Sequence, residues 1–187
     1  MMRLVKLLRK YSLHVGIFAM ILLVAGTFAV GGSLLQKILF LVGVPLLGFS
    51  AFLNKQKMYT ILQLVVTVAA ILAFFDSLPD AFRYGIMLGA GLLGIGYLVK
   101  INYFKQDVWW PVAGLGLLSI AAGFATNAAL HPVMFNSLLA FGGMLVAAYS
   151  AIGFFHFKVK IAIIWLVMNI IFAVNPTLIV LHSFGIF

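Results

Sequence analysis

The chain has 187 residues, 65% of them hydrophobic and 8% charged, with a net charge of +9. A soluble domain carries about 25% charged residues, so a water-soluble globule is excluded, and the high hydrophobicity excludes a disordered chain. The composition fits an all-α integral membrane protein, because seven spans of about 20 residues use roughly 140 positions and leave only short connections.

Residues 1–11 form a basic segment. Arg3, Lys6 and Lys10 share one helical face, opposite Leu4, Leu7, Leu8 and Tyr11, with Arg9 adding charge. Such a segment suits an anionic cytoplasmic leaflet. The first span covers 12–30. Its apolar run is longer than the core of a signal peptide, which predicts a retained helix. Gly31-Gly32-Ser33 turns the chain into the second span, 34–53, and the polar break at Asn54-Lys55-Gln56-Lys57 leads to the third, 58–75. Ser77 as N-cap and Asp80 in a capping box open the fourth, 81–99. Asp107 caps the fifth, 108–127, and sets Trp109 and Trp110 at the interface, where indole is favoured. His131-Pro132 starts the sixth, 133–155, and the seventh covers 161–181. All these segments are apolar on every face, unlike the alternating strands of a β-barrel.

Charge sets the direction. The four basic residues of the N-terminal segment, Lys55, Lys57, Lys100, Lys105, Lys158 and Lys160 fall on one side of a seven-span chain. Only Lys37 and Arg83 fall on the other. Basic residues stay in the cytoplasm. The N-terminus is therefore expected inside and the C-terminus outside, in the cell (inner) membrane.

Two parts of the chain resemble each other. Gly43, Phe49 and Ser50-Ala51 match Gly143, Tyr149 and Ser150-Ala151. Gln36 matches Asn136, and Lys55-x-Lys57 matches Lys158-x-Lys160. Leu64-Val65 matches Leu166-Val167, which sets Gln63 against Trp165 and Thr67 against Asn169. Ala25-Gly26 of the first span matches Ala122-Gly123 of the fifth. The reading is two parallel three-helix bundles, a three-helix repeat at 12–75 and another at 108–181, joined by a linker helix at 81–99 and related by an axis along the membrane normal. The linker is glycine-rich, and Gly85-x-x-x-Gly89 would let a helix approach closely.

This arrangement resembles the SWEET superfamily, which includes sugar facilitators and PnuC-type vitamin-precursor transporters. The nearest local likeness is Lys158-x-Lys160 followed by Trp165-Leu-Val-Met-Asn169, similar to the basic turn and Trp-x-x-x-Asn of the final PnuC-like repeat. The resemblance implies that the third helix of each repeat lines the substrate site. It also implies facilitative transport of a small neutral solute, a sugar or a nucleoside or vitamin precursor, by alternating access.

The residues offer matching chemistry. No acid or base lies near the middle of a span, whereas proton relays place ionisable groups there. Asp76, Asp80 and Asp107 are read as capping residues at span ends. Gln63 with Thr67, and Trp165 with Asn169, are i, i+4 pairs on helices that start from the same side. Thr67 and Asn169 lie roughly 14 Å deep at 1.5 Å per residue, near the midplane. Amides that donate and accept, beside a flat indole, suit a neutral planar or hydroxylated solute. The bland alternative is that they hydrogen-bond neighbouring helices together. Pro45, Ser50, Tyr149 and Ser150 are candidate gate or hinge residues, Pro45 because it removes a backbone hydrogen bond. No catalytic residue, metal site or cofactor is expected. Absent cysteine rules out thiolate ligands and disulfides.

Two other readings stand beside transport. The smooth apolar helices also suit a non-catalytic subunit or assembly factor of a membrane complex. His14 and His156 at one depth, with His131 and His182 at the other, are a pattern that could ligate haem in a haem or quinone protein. The expected partners are a small-molecule substrate and the lipid bilayer, with no nucleic acid, and a homo-oligomer is left open.

Overall fold

The computed structural model describes residues 2–158 and 162–186. They form seven α-helices: α1 (Met2–Phe28), α2 (Leu34–Leu53), α3 (Lys57–Leu72), α4 (Asp80–Lys100), α5 (Trp110–Ala125), α6 (Pro132–Phe155) and α7 (Ala162–Ser183). A single 3-10 turn, Tyr103–Lys105, joins α4 to α5. Five of the helices are long and apolar enough to cross a membrane, and α3 and α5 are shorter apolar helices. Lys160 lies outside the described residues, as do the side chains of residues 2–9 on which the amphipathic reading of the N-terminal segment rests. The backbone there joins the first span in one continuous helix, α1.

Each helix packs on the next, and two further pairs, α3 with α5 and α1 with α7, complete the packing. The helices α1, α2, α3, α5, α6 and α7 thus close a ring, and α4 leans on its outside against α3 and α5. The turns at Lys55, Asn102 and Lys158 mark a lysine-rich end. The turns at Gly32, Asp76–Asp80 and Asn127–His131 mark the opposite one.

The connections follow from local chemistry. Gly32 has φ +76°, a left-handed conformation natural to glycine. It feeds Ser33, whose hydroxyl accepts the Gln36 N–H at 3.2 Å and caps α2. At the lysine-rich end, Lys55 (φ 59°) and Lys158 (φ 57°) each turn the chain through the left-handed region, which side chains avoid at a cost of roughly 1–2 kcal/mol. The third span ends earlier than its apolar run. Phe74 and Phe75 N–H groups donate to Ile71 and Leu72 carbonyls at 3.1 and 3.0 Å, tightening the chain after Leu72. The fourth helix starts differently from the Ser77 capping box. Its N-cap is Pro79, with no side-chain cap. Asp80 instead accepts from Arg83 one turn on, and its other oxygen lies 3.4 Å from His131 Nε2. Asp107 does serve the start of the fifth segment, accepting the Trp109 N–H at 2.8 Å.

Small residues set the closest helix contacts. A Cβ on Gly142 would lie 2.6 Å from the Gly116 carbonyl oxygen, so α5 and α6 touch backbone to backbone there. On α4 the glycines divide. Gly91 and Gly94 face Leu118, Ile61 and Val65, whereas no heavy atom would come within 4 Å of a Cβ on Gly85 or Gly89. Helix α5 is the most enclosed, with Ala113, Leu117, Ile120, Ala121 and Phe124 all buried.

Candidate functional site

The ring encloses a cavity offering about 50 Å³ to the centres of water molecules, lined from α1, α2, α3, α5, α6 and α7. Its wall is mostly apolar: Met20, Leu23, Val44, Leu47, Val66, Leu117, Ile120, Phe124, Val146 and Phe172. Its polar groups are Gln56, Tyr59 and Gln63 on the α3 side, with Trp165 and Asn169 on α7. An apolar chamber with a few convergent polar groups is the usual form of a small-molecule site.

Helices α3 and α7 present the same pattern. From α3 come Tyr59, Gln63 and Val66, and from α7 come Trp165, Asn169 and Phe172. Each set reads aromatic, then amide four residues on, then apolar three residues further. The spacing i, i+4, i+7 puts each set on one helix face. Gln63 therefore stands opposite Asn169 in kind, and Tyr59 opposite Trp165. This register is one helical turn away from the sequence match of Gln63 with Trp165. The match was displaced because Trp165 stands further beyond the end of α6 at Phe155 than Tyr59 does beyond the end of α2 at Leu53.

Similar contacts recur between α1 and α2 and between α5 and α6. A Cβ on Gly43 would press on Leu23 at 2.8 Å, and one on Gly142 would press on Ile120 at 2.6 Å. Likewise Gly26 faces Phe40 and Gly123 faces Leu139. These contacts pair Gly43 with Gly142, one residue from the Gly143 of the sequence match. Leu23 and Ile120 both line the cavity, as do Leu47 and Val146.

Gln63 is 4% exposed, and its Oε1 has no hydrogen-bond partner among the described residues. That orphaned acceptor belongs to a residue of the chamber wall. Asn169 donates from Nδ2 to the Trp165 carbonyl at 2.8 Å, which holds the amide along its own helix. The Trp165 six-membered ring lies against Gly16, where a Cβ would come within 2.9 Å of it. Gly16 thus gives the indole room to lie along α1.

The remaining sequence candidates lie elsewhere. Thr67 is half-buried, does not line the cavity, and donates to the Gln63 carbonyl at 2.7 Å. Ser50 donates to the Ser12 carbonyl at 2.6 Å and ties α2 to α1. Ser150 donates to the Val146 carbonyl of its own helix at 2.8 Å. Tyr149 donates to Asp107 and packs edge-on against Tyr59, with ring centroids 5.9 Å apart. Pro45 is on the exposed face of α2, which continues through it. None of these four lines the chamber. Sequence reasoning missed Tyr59, though its four-residue spacing to Gln63 repeats that of Trp165 to Asn169. His14, His131, His156 and His182 are all exposed. Among the described residues no three His, Cys, Asp or Glu gather as metal ligands. Outside the helices, burial and then the Asp107 carboxylate raise the Tyr103 phenol above its ordinary pKa.

At the end away from the lysines the chamber stops at Phe124. Its ring stacks on Phe40 with centroids 4.3 Å apart and planes 22° apart. Phe124 also lines a second, smaller cavity beyond, shared with Phe40, Lys37, Asp76 and Arg83. The stacked pair thus separates the two spaces. No protein family, curated protein or solved structure matches the chain.

Proposed function

We propose that this is a polytopic membrane protein that carries a small neutral solute by facilitated alternating access. Its two parallel three-helix units are α1–α3 and α5–α7, with α4 as linker. The packing favours a two-fold relation about the membrane normal, because α3 on α5 and α7 on α1 are the same contact after exchange of halves. The left-handed turns at Lys55 and Lys158 are also exchanged. The N-terminus faces the cytoplasm, as the lysine-rich end demands.

One observation carries the reading: α3 and α7 bring an aromatic and an amide each, in one register, to one shared chamber. Amides bind hydroxyl, amide or ring-nitrogen groups without demanding charge. Tyr59 and Trp165 supply flat faces for a sugar or a nucleobase-like ring. The stacked Phe40 and Phe124 form the barrier towards the outside, and opening needs them to part. Solute flows down its gradient or is trapped by later metabolism, since no Asp, Glu, His, Lys or Arg among the described residues lines the chamber to couple protons.

The test is uptake by proteoliposomes across radiolabelled sugars, nucleosides and vitamin precursors. Saturable flux of one class, weakened by Asn169→Ala and Gln63→Ala, supports the reading. No saturable flux in any class, from protein that is folded and inserted, rejects it.

A further inference from the structure

The smaller cavity beyond Phe124 has chemistry of its own. It offers about 20 Å³ to the centres of water molecules, at the end opposite the lysine-rich turns. Arg83, 1% exposed, is part of its wall. Its Nη2 donates to Asp80, whose other oxygen faces the exposed His131. Its Nε and Nη1 are buried with no hydrogen-bond partner among the described residues. A buried guanidinium with unmet N–H groups is costly, so an acceptor is called for.

The neighbouring polar side chains have partners of their own. Gln36 Oε1 takes the Gly32 N–H at 2.8 Å, and its amide nitrogen donates to the Gly26 carbonyl. Asn127 Oδ1 takes the Ala129 and Leu130 N–H groups. The Thr126 hydroxyl is engaged with Tyr84 and the Ala122 carbonyl. Asp76 Oδ2 accepts from Lys37 at 2.5 Å. Lys37 is paired with Asp76 and Arg83 with Asp80, so the fixed charges balance and what is unmet at the wall is the donor capacity of Arg83 Nε and Nη1. The free hydrogen-bonding capacity at Arg83 is all donor.

We propose that this cavity binds a compact monovalent anion, a halide or the carboxylate head of a small molecule, on Arg83 Nε and Nη1. Phosphate and sulfate are too bulky for the space. The proposal does not depend on transport through the central chamber. A free inorganic anion and a carboxylate solute share this chemistry, and the experiment separates them.

Thermal unfolding of the full chain in mild detergent is followed as sodium gluconate is replaced by chloride, formate or acetate at constant ionic strength. A saturable rise in midpoint with chloride, displaced by formate, identifies an inorganic-anion site. A rise with formate and acetate but not chloride identifies a carboxylate site. Either rise should vanish in Arg83→Gln and persist in Lys100→Gln, far from the cavity. Because Arg83→Gln risks misfolding, anion contact is also read on the wild-type protein. Chloride-35 line broadening removed by formate, or saturation transfer from the protein to formate, supports the site. No saturable midpoint change relative to gluconate and no anion contact by either signal means water only, and overturns it. An unchanged response in folded Arg83→Gln also overturns it.

Discussion

Gln63 and Asn169 occupy equivalent positions on α3 and α7, each four residues after an aromatic ring and three before a buried apolar side chain on the same chamber wall. If both hold one solute, each contributes a neutral hydrogen bond. Such a bond is worth about 0.5–1.5 kcal/mol, or roughly two- to twelvefold in affinity. Gln63→Ala and Asn169→Ala should each raise KM by that factor, with the double variant close to the product. Tyr59→Phe should be mild, because the ring face remains, whereas Tyr59→Ala should be severe. Thr67→Val should leave transport near wild type, since its hydroxyl is spent on the Gln63 carbonyl. Uptake kinetics in proteoliposomes check all six.

The helices were legible because each is a long apolar run closed by polar or glycine-containing breaks. The second span, 34–53, matches α2 residue for residue. What composition could not show was which way an apolar helix faces. Thr67 and Gln63 look alike as polar residues in a span, yet only Gln63 turns to the chamber, since a threonine hydroxyl reaches its own i−4 carbonyl. Ser50 and Ser150 were read as one repeated gate, but one bridges to α1 and the other bonds within its helix. Arg83 looked like an interfacial charge because it lies in the first turn of its helix. Its burial arises from packing that no periodicity reveals. Tyr59 was hidden by an alignment that followed Leu-Val identities through connections of unequal length.

The glycines give a stability contrast. Gly142→Ala drives a methyl onto the Gly116 carbonyl oxygen and Ile120. Backbone cannot yield cheaply, so overpacking of about 1–3 kcal/mol or more is expected. Gly89→Ala meets nothing within 4 Å and gains helix propensity worth about 1 kcal/mol. Thermal unfolding in detergent should show a lowered midpoint for Gly142→Ala and an equal or raised one for Gly89→Ala. The reverse order would contradict the packing of α5 on α6.

The stacked phenylalanines should act as the outer barrier. Phe124→Ala removes the wall between the two cavities, at a stability cost of about 3–5 kcal/mol, so Phe124→Leu is the gentler variant. The chain has no native cysteine, so a single Val66→Cys reports on the chamber alone. Its thiol should react slowly with a membrane-impermeant thiosulfonate added from outside. Phe124→Leu or Phe40→Leu should speed that reaction severalfold. Equal rates in all three backgrounds would place the barrier elsewhere.

Orientation is testable by the same means, one thiol at a time. Lys105 lies in the 3-10 turn at the lysine-rich end, and Asn127 in the connection at the opposite end. Both ends are fixed by the packing, but which one meets the cytoplasm follows from charge alone. Retention of Lys55, Lys57, Lys100, Lys105 and Lys158 inside is favoured because basic loops resist translocation. In intact cells, Asn127→Cys should be blocked by an impermeant maleimide. Lys105→Cys should be labelled only after permeabilisation. Blocking of Lys105→Cys in intact cells, with protection of Asn127→Cys, would invert the molecule. It would then turn the Arg83 cavity towards the cytoplasm and the amide-lined half of the chamber towards the outside.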